Sequence, residues 1–133
     1  MKHLLLITFL LASLLSYSQY KFQYAGMTSK KEEIFIKFEK IETDKIFVWV
    51  KIVEQPTTFK NKKGKKVTKN GGYTLTLMAM DCKNRNYDKS TYIKYDSKGD
   101  IVYSEDLNEW DKVIVPDSVG ELIFEFTCSS NSE

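Results

Sequence analysis

The segment Lys45–Glu54, with the sequence KIFVWVKIVE, decides the fold class of this 133-residue chain. Its β-branched and aromatic residues favour a strand, and Pro56 ends the segment. Successive side chains of a strand point to opposite faces, and both faces are apolar here. One face carries Ile46, Val48, Val50 and Ile52, and the other carries Phe47, Trp49 and Val53. We therefore expect a central strand, or one whose outer face meets another element or a partner.

Further strands are predicted on both sides of this segment. Ile34, Ile36 and Phe38 share one face of a predicted strand, and Lys37 and Glu39 lie on the other. Thr43-Asp44 makes a turn before Lys45. The other predicted strands cover residues 20–27, 73–82, 91–96, 101–104 and 113–115. Because most successive strands are joined by short connections, the sequence predicts an antiparallel meander of about five or six strands.

The C-terminal residues indicate a short helix. Ser118 and Glu121 have the spacing of a capping box. Beyond the cap, apolar residues recur at helical spacing at Val119, Leu122, Ile123 and Phe126. A strand over residues 122–127 is the alternative, because LIFEFT also alternates and has high β propensity. The predicted fold class is α+β, mainly β, with the helix packed across one face of the sheet.

The first 18 residues have the three parts of a cleavable signal peptide. Lys2 and His3 precede an apolar run over residues 4–15, and small residues at Ser16 and Ser18 favour cleavage after Ser18. A membrane anchor is the alternative, although the run is shorter than the ~20 residues that cross a bilayer. We expect one domain over residues 19–133 that is exported to the periplasm, or secreted and associated with the cell surface, with no transmembrane segment after cleavage.

Cys82 and Cys128 are the two cysteines of the chain. In an exported protein the simplest expectation is one disulfide, which would tie the C-terminal helix to a strand. A metal site or a redox pair is the alternative. A metal site needs three or four ligands, and a redox pair is expected at Cys-x-x-Cys spacing.

Composition argues against most enzyme classes. The single histidine, His3, lies in the predicted signal peptide, so the mature chain lacks the residue most used in hydrolytic and metal chemistry. Four carboxylates flank Trp110, and we interpret them as a solvated loop rather than a catalytic or calcium site: Glu105, Asp106, Glu109 and Asp111. We therefore predict a protein that is not an enzyme and has no catalytic residues, no metal and no cofactor.

One stretch has an unusual local charge, although the formal net charge of the chain is only +2. The segment Thr57–Gly72 is predicted to be a flexible hairpin loop in water. It carries six lysines that could bind a polyanion: Lys60, Lys62, Lys63, Lys65, Lys66 and Lys69. The alternative is a solvated loop whose like charges discourage strand-edge association. Nucleic acid is not expected as a partner, because export removes that ligand.

An ordered set of motifs between residues 32 and 128 carries a family resemblance. In chain order these motifs are Val48-Trp49-Val50-Lys51, Asp81-Cys82-Lys83-Asn84-Arg85, Tyr92-Ile93-Lys94-Tyr95, Gly99, Trp110, Pro116-Asp117-Ser118 and Cys128. Together they resemble the surface-adhesin protein E-like domain of secreted Gram-negative proteins. The resemblance implies a curved antiparallel sheet with a C-terminal helix tethered by the disulfide. It also implies adhesion to host or matrix glycoproteins and a homodimer.

A second functional hypothesis comes from two methionines. Met78 and Met80 share the strand face of Cys82, which is compatible with a small periplasmic carrier or sensor that holds an apolar ligand between sheet and helix. Met on a strand more often fills a core.

Overall fold

The computed structural model describes residues 21–130, which form a six-stranded antiparallel sheet, a separate two-stranded hairpin and one helix. The elements in chain order are β1 (Gln23–Met27), β2 (Glu33–Glu42), β3 (Lys45–Val53), β4 (Thr57–Lys60), β5 (Lys66–Lys69), β6 (Tyr73–Asp81), β7 (Asn86–Tyr95), β8 (Ile101–Val113) and α1 (Val119–Ser130). The order in the large sheet is β1-β2-β3-β6-β7-β8. The predicted fold class is confirmed, with the β4–β5 hairpin inserted between β3 and β6. The predicted signal peptide, residues 1–18, lies outside the described residues.

The predicted central strand β3 lies between β2 and β6. Thr43 and Asp44 both have positive φ, at 53° and 61°, which is the geometry of a tight two-residue hairpin turn. On the helix side of the sheet, apolar side chains of β2, β3 and β6 form the core with residues of α1 and Ile114. The buried members of that cluster are Ile34, Ile36, Ile46, Val48, Val50, Met78, Met80, Ile114, Ile123 and Phe124.

The helix is confirmed, and the alternative strand over residues 122–127 is wrong. Ser118 Oγ accepts a hydrogen bond from the Glu121 N–H at 3.1 Å, and the Glu121 carboxylate accepts one from the Asp117 N–H at 2.7 Å. These bonds satisfy N–H groups at the start of the helix, where no helical carbonyl is available. The predicted apolar stripe is shifted, because Phe124 is buried whereas Val119 is 37% exposed.

A disulfide joins Cys82 to Cys128, which confirms the expectation from the sequence. Cys82 directly follows β6, so the bond ties α1 to the end of a central strand. With both sulfurs in the disulfide, neither cysteine is free as a thiolate ligand for a metal in this structure.

Three strand predictions need correction. β7 begins at Asn86 rather than Thr91, and β8 continues from Ile101 to Val113 through the acidic segment that we expected to be a loop. Val113 is the last residue of β8, so residues 113–115 do not form a separate strand. The stretch predicted as a flexible loop forms β4 and β5 instead.

Within residues 21–130, no helix is both long and apolar enough to cross a membrane.

Candidate functional site

The six lysines predicted to bind a polyanion lie on and around the hairpin of β4 and β5, residues 57–69, which we call the lysine hairpin. Its strands pair antiparallel, from Thr57 opposite Lys69 to Lys60 opposite Lys66. Asn61 organises the tip, because its Oδ1 accepts hydrogen bonds from the N–H groups of Lys63 and Lys65, both at 3.0 Å. The lysines therefore project from a hydrogen-bonded frame.

The lysine hairpin has no negative charge of its own. All six lysines are exposed, and no carboxylate within residues 21–130 forms an ion pair with any of them. Lys60 and Lys66 face each other across the hairpin, an arrangement of like charges that costs stability. Of the 20 basic residues of the chain these six leave 14 elsewhere, against 18 acidic residues. The positive charge of the protein is thus concentrated on one projection.

The base of the lysine hairpin joins the large sheet closely. The Glu54 N–H donates to the Gly72 carbonyl at 2.9 Å, one step beyond the β3–β6 pair Val53 and Tyr73. A Cβ at Gly72 would lie 1.9 Å from the Tyr95 carbonyl oxygen, so only glycine fits at this close approach. The hairpin therefore leaves the sheet at a fixed point between its two central strands.

The four carboxylates around Trp110 lie along the exposed edge strand β8. Glu105 pairs with Tyr92 and Asp106 with Thr91, so these adjacent carboxylates point to opposite faces of the sheet. Tyr103 Oη donates to Glu105 at 2.6 Å, which raises the pKa of the Tyr103 hydroxyl. Glu109 lies 3.5 Å from Lys89. This distribution along a strand does not resemble a pair of catalytic acids.

Asp111 belongs to a separate, partly buried ionic cluster. Asp88 is 6% exposed and accepts hydrogen bonds from Lys45 Nζ at 2.7 Å and from the Asp111 N–H at 2.8 Å. The hydrogen bond to Asp88 raises the pKa of the Lys45 ammonium above its usual value of 10.5. Each charged group has its partner, so the cluster links side chains of β3, β7 and β8 across the intervening strand β6.

Among the residues the structure describes, no group of three or more histidine, cysteine or carboxylate side chains is placed to hold a metal ion.

The two methionines of the carrier hypothesis have different surroundings. Met80 is fully buried in the core, whereas Met78 also lines an open groove beside the first turn of α1. The groove, which we call the helix-side groove, has a volume of about 270 Å³. It is lined by Val50, Ile52, Thr74, Thr76, Met78, Tyr87, Lys89, Tyr92, Leu107, Val119, Gly120 and Ile123.

The polar lining of this groove was not predicted from the sequence. The signal was present, because Thr74 and Thr76 alternate with Leu75 and Leu77 and therefore share a strand face with Met78. What the sequence could not indicate was that α1 leaves this part of the face uncovered.

A second groove of about 580 Å³ lies on the other side of α1, next to β1. Its lining includes Met27 and Leu122 together with three carboxylates, Asp117, Glu121 and Glu125. The helix packs closely here, since a Cβ at Gly26 would lie 2.7 Å from Leu122 Cδ1.

Comparison with known proteins finds a family match over most of the chain. The family model described as surface-adhesin protein E matches residues 22–129, which includes every strand and nearly the whole helix. No curated protein and no solved structure matches the chain.

Proposed function

Because the chain belongs to the surface-adhesin protein E family, we propose that it is an exported, non-enzymatic adhesion protein whose lysine hairpin binds an acidic polymer, such as the acidic glycans of a host or matrix glycoprotein. The family supports a surface-adhesin-like role and a surface or exported location. The signal peptide of residues 1–18 would provide export.

The observation that carries the proposed ligand is the isolation of the six lysines. Surface lysines are usually interspersed with acidic residues, and elsewhere within residues 21–130 five basic residues lie within 4.0 Å of a carboxylate. Over the same described range the lysine hairpin has no such partner, and it contains a directly opposed like-charge pair, Lys60 and Lys66. A polyanion laid along the hairpin would remove this repulsion and gain several charge contacts at once.

Rigidity of the tip supports the same ligand. Gly64 has a φ of 75°, and its N–H donates to the Asn61 carbonyl at 2.9 Å. This positive φ is readily adopted by glycine, which lets the chain turn sharply within the lysine run. Because the backbone is already ordered, binding costs mainly side-chain entropy.

The test is binding to immobilised heparin as a function of salt concentration, with dextran as the uncharged control polymer. The hairpin variant carries Lys62→Gln, Lys63→Gln and Lys65→Gln, and the matched variant carries Lys30→Gln, Lys98→Gln and Lys112→Gln at exposed positions elsewhere. At about 1 kcal/mol for each lysine near an anionic surface, the hairpin variant should bind about 100-fold more weakly.

The matched variant should retain most of the affinity, and added salt should weaken the wild-type interaction strongly. If both variants lost the same amount of heparin affinity, binding would depend only on the net charge of the protein, which would contradict the assignment to the lysine hairpin. Binding to heparin that does not change with salt would contradict an electrostatic mechanism altogether.

A further inference from the structure

The helix-side groove exists because α1 covers only part of one sheet face. The helix packs against β1, β2, β3 and β6, and its first turn ends this coverage at Val119 and Gly120. Beyond that point, residues of β6, β7 and β8 lie open beside the helix. The floor is apolar and is formed by core residues, among them Val50, Met78 and Ile123.

Four hydroxyl groups line the groove above this floor, from Thr74, Thr76, Tyr87 and Tyr92. Within residues 21–130 none of these hydroxyls hydrogen-bonds to another protein group. All four residues are only partly exposed. The groove thus combines an apolar floor with several hydrogen-bonding groups that the fold itself does not use, which is the usual composition of a small-molecule site.

The charges near the groove cancel in pairs. Lys89 lies 3.5 Å from Glu109, and Lys94, opposite Thr74 in the sheet, lies 3.2 Å from Glu54. The hydrogen bond to Glu54 raises the pKa of Lys94 above its usual value of 10.5. A charged ligand would have to displace a carboxylate or a lysine from an existing partner.

From these observations we infer that the helix-side groove binds a small, uncharged molecule with an apolar ring and one or two hydrogen-bonding groups. The apolar ring rests on Met78 and Ile123, and the polar groups meet the threonine and tyrosine hydroxyls. A volume of about 270 Å³ fits a ligand smaller than a drug-sized molecule. This inference goes beyond the proposed adhesion, because the groove shares no residue with the lysine hairpin.

Methionine methyl NMR can test this inference, because three methionines report on three places. Met78 lies in the helix-side groove, Met80 in the core and Met27 in the groove on the opposite side of α1. The probe is 4-methylphenol, compared with 4-methylbenzoate, which has the same ring and a negative charge. We expect 4-methylphenol to shift the Met78 resonance in a saturable way, with much smaller shifts at Met80 and Met27. The benzoate should bind at least about tenfold more weakly.

Two variants locate the site. Gly120→Leu should abolish the effect, because a Cβ at this position lies 3.6 Å from the Tyr87 ring and the side chain would fill the groove without a severe clash. Thr76→Val removes one hydroxyl at nearly constant shape and should weaken 4-methylphenol about 2- to 10-fold. Thr91→Val, on the opposite face of the sheet, should leave the affinity unchanged.

Several outcomes would overturn the inference. These are the absence of saturable shifts at Met78, equal binding of the benzoate, or unchanged binding in Gly120→Leu with a native-like spectrum. Heparin binding is measured on the same Gly120→Leu protein and should remain normal. Loss of 4-methylphenol binding at the helix-side groove is therefore distinguished from loss of heparin binding at the lysine hairpin.

Discussion

At the scale of single residues, the clearest exception to an apolar interior is Asp88. It is one of two buried polar residues among those described, and it lies on the sheet face opposite α1. Lys45 and the Asp111 N–H satisfy its oxygens. A buried carboxylate is stable only with such partners, so Asp88 connects Lys45 of β3 and Asp111 of β8 to β7 on this face of the sheet.

We predict that Asp88→Asn lowers the free energy of unfolding by about 2 kcal/mol, because a hydrogen-bonded charge pair is replaced by weaker neutral contacts. Urea unfolding at pH 7 measures this loss. The control is Glu42→Gln, which removes the acid from the exposed Lys40–Glu42 ion pair and should cost less than about 1 kcal/mol. Equal losses in the two variants would contradict a special role for Asp88.

A second residue-scale prediction concerns acid stability. The side-chain amide and the N–H of Asn84 donate to Asp81 at 2.8 and 2.9 Å, and these bonds lower the pKa of the Asp81 carboxyl below its usual value of 3.8. A carboxyl whose pKa is lower in the folded than in the unfolded state stabilises the folded protein at pH values above its unfolded-state pKa. That stabilisation is lost as the pH falls through the folded pKa.

Asn84→Ala should therefore be less thermally stable than wild type at pH 6, and the two melting temperatures should converge as the pH falls toward 2. Calorimetry across this pH range measures the convergence, with Asn70→Ala in an exposed position as the control. A difference between wild type and Asn84→Ala that stays constant with pH would show that the effect does not depend on the charge of Asp81.

At the scale of elements, α1 depends on both its cap and the disulfide. Its buried side chains are few, namely Ile123, Phe124 and Thr127. Closing a loop between cysteines 46 positions apart contributes about 4 kcal/mol in the chain-entropy model. The bond also keeps Cys128 of α1 beside the end of β6, so the helix stays next to the sheet even when its side-chain packing loosens.

We predict that Cys128→Ser increases amide hydrogen exchange in residues 119–127 more than in the strands between Ile34 and Ser104. The helix would then be held by packing alone, whereas the strands keep their ladders. Hydrogen exchange with mass spectrometry measures this, and Ser130→Ala near the end of α1 is the control. A uniform increase over helix and strands would mean that the disulfide stabilises the whole domain rather than the helix.

The sequence predicted the strands with apolar alternation well and the polar parts of strands poorly. β3 was evident because its apolar residues alternate on both faces. The strand predicted from the sequence begins at Thr91 rather than Asn86, because the segment Tyr87–Ser90 is polar and gives no apolar alternation. Asp88 is buried there because it pairs with Lys45, and the sheet register shifts on either side of Lys89. The sequence predicts a loop in place of most of β8, because an edge strand with both faces exposed needs no apolar periodicity.

At the scale of the molecule, the lysine hairpin and the helix-side groove are adjacent. The lysine hairpin leaves the sheet after Val53 and returns at Tyr73, and the adjacent pair Ile52 and Thr74 lines the helix-side groove. The lysine cluster could be proposed from local sequence. The groove could not, because its lining comes from five separate elements whose register only the folded chain defines.

We predict that the hairpin is separable from the rest of the fold. Replacing residues 55–71 by Asn-Gly should shift the melting temperature by less than about 5 °C, because among the described elements β4 and β5 pack only against each other. The replacement removes six positive charges and no negative ones, so heparin binding should be lost. Calorimetry and the heparin measurement check both parts, and a large drop in melting temperature would contradict a separable hairpin.

The Cys82–Cys128 bond also determines how the protein responds to mechanical force. A pull on the two ends of the chain is transmitted across the disulfide, so the residues between the cysteines, with β7, β8 and most of α1, carry no tension. While the bond is intact, a pull on the two ends therefore acts on the strands that precede Cys82. An oxidised molecule yields by separating β1, β2, β3 and β6, and reduction of one covalent bond lets β7, β8 and α1 extend as well.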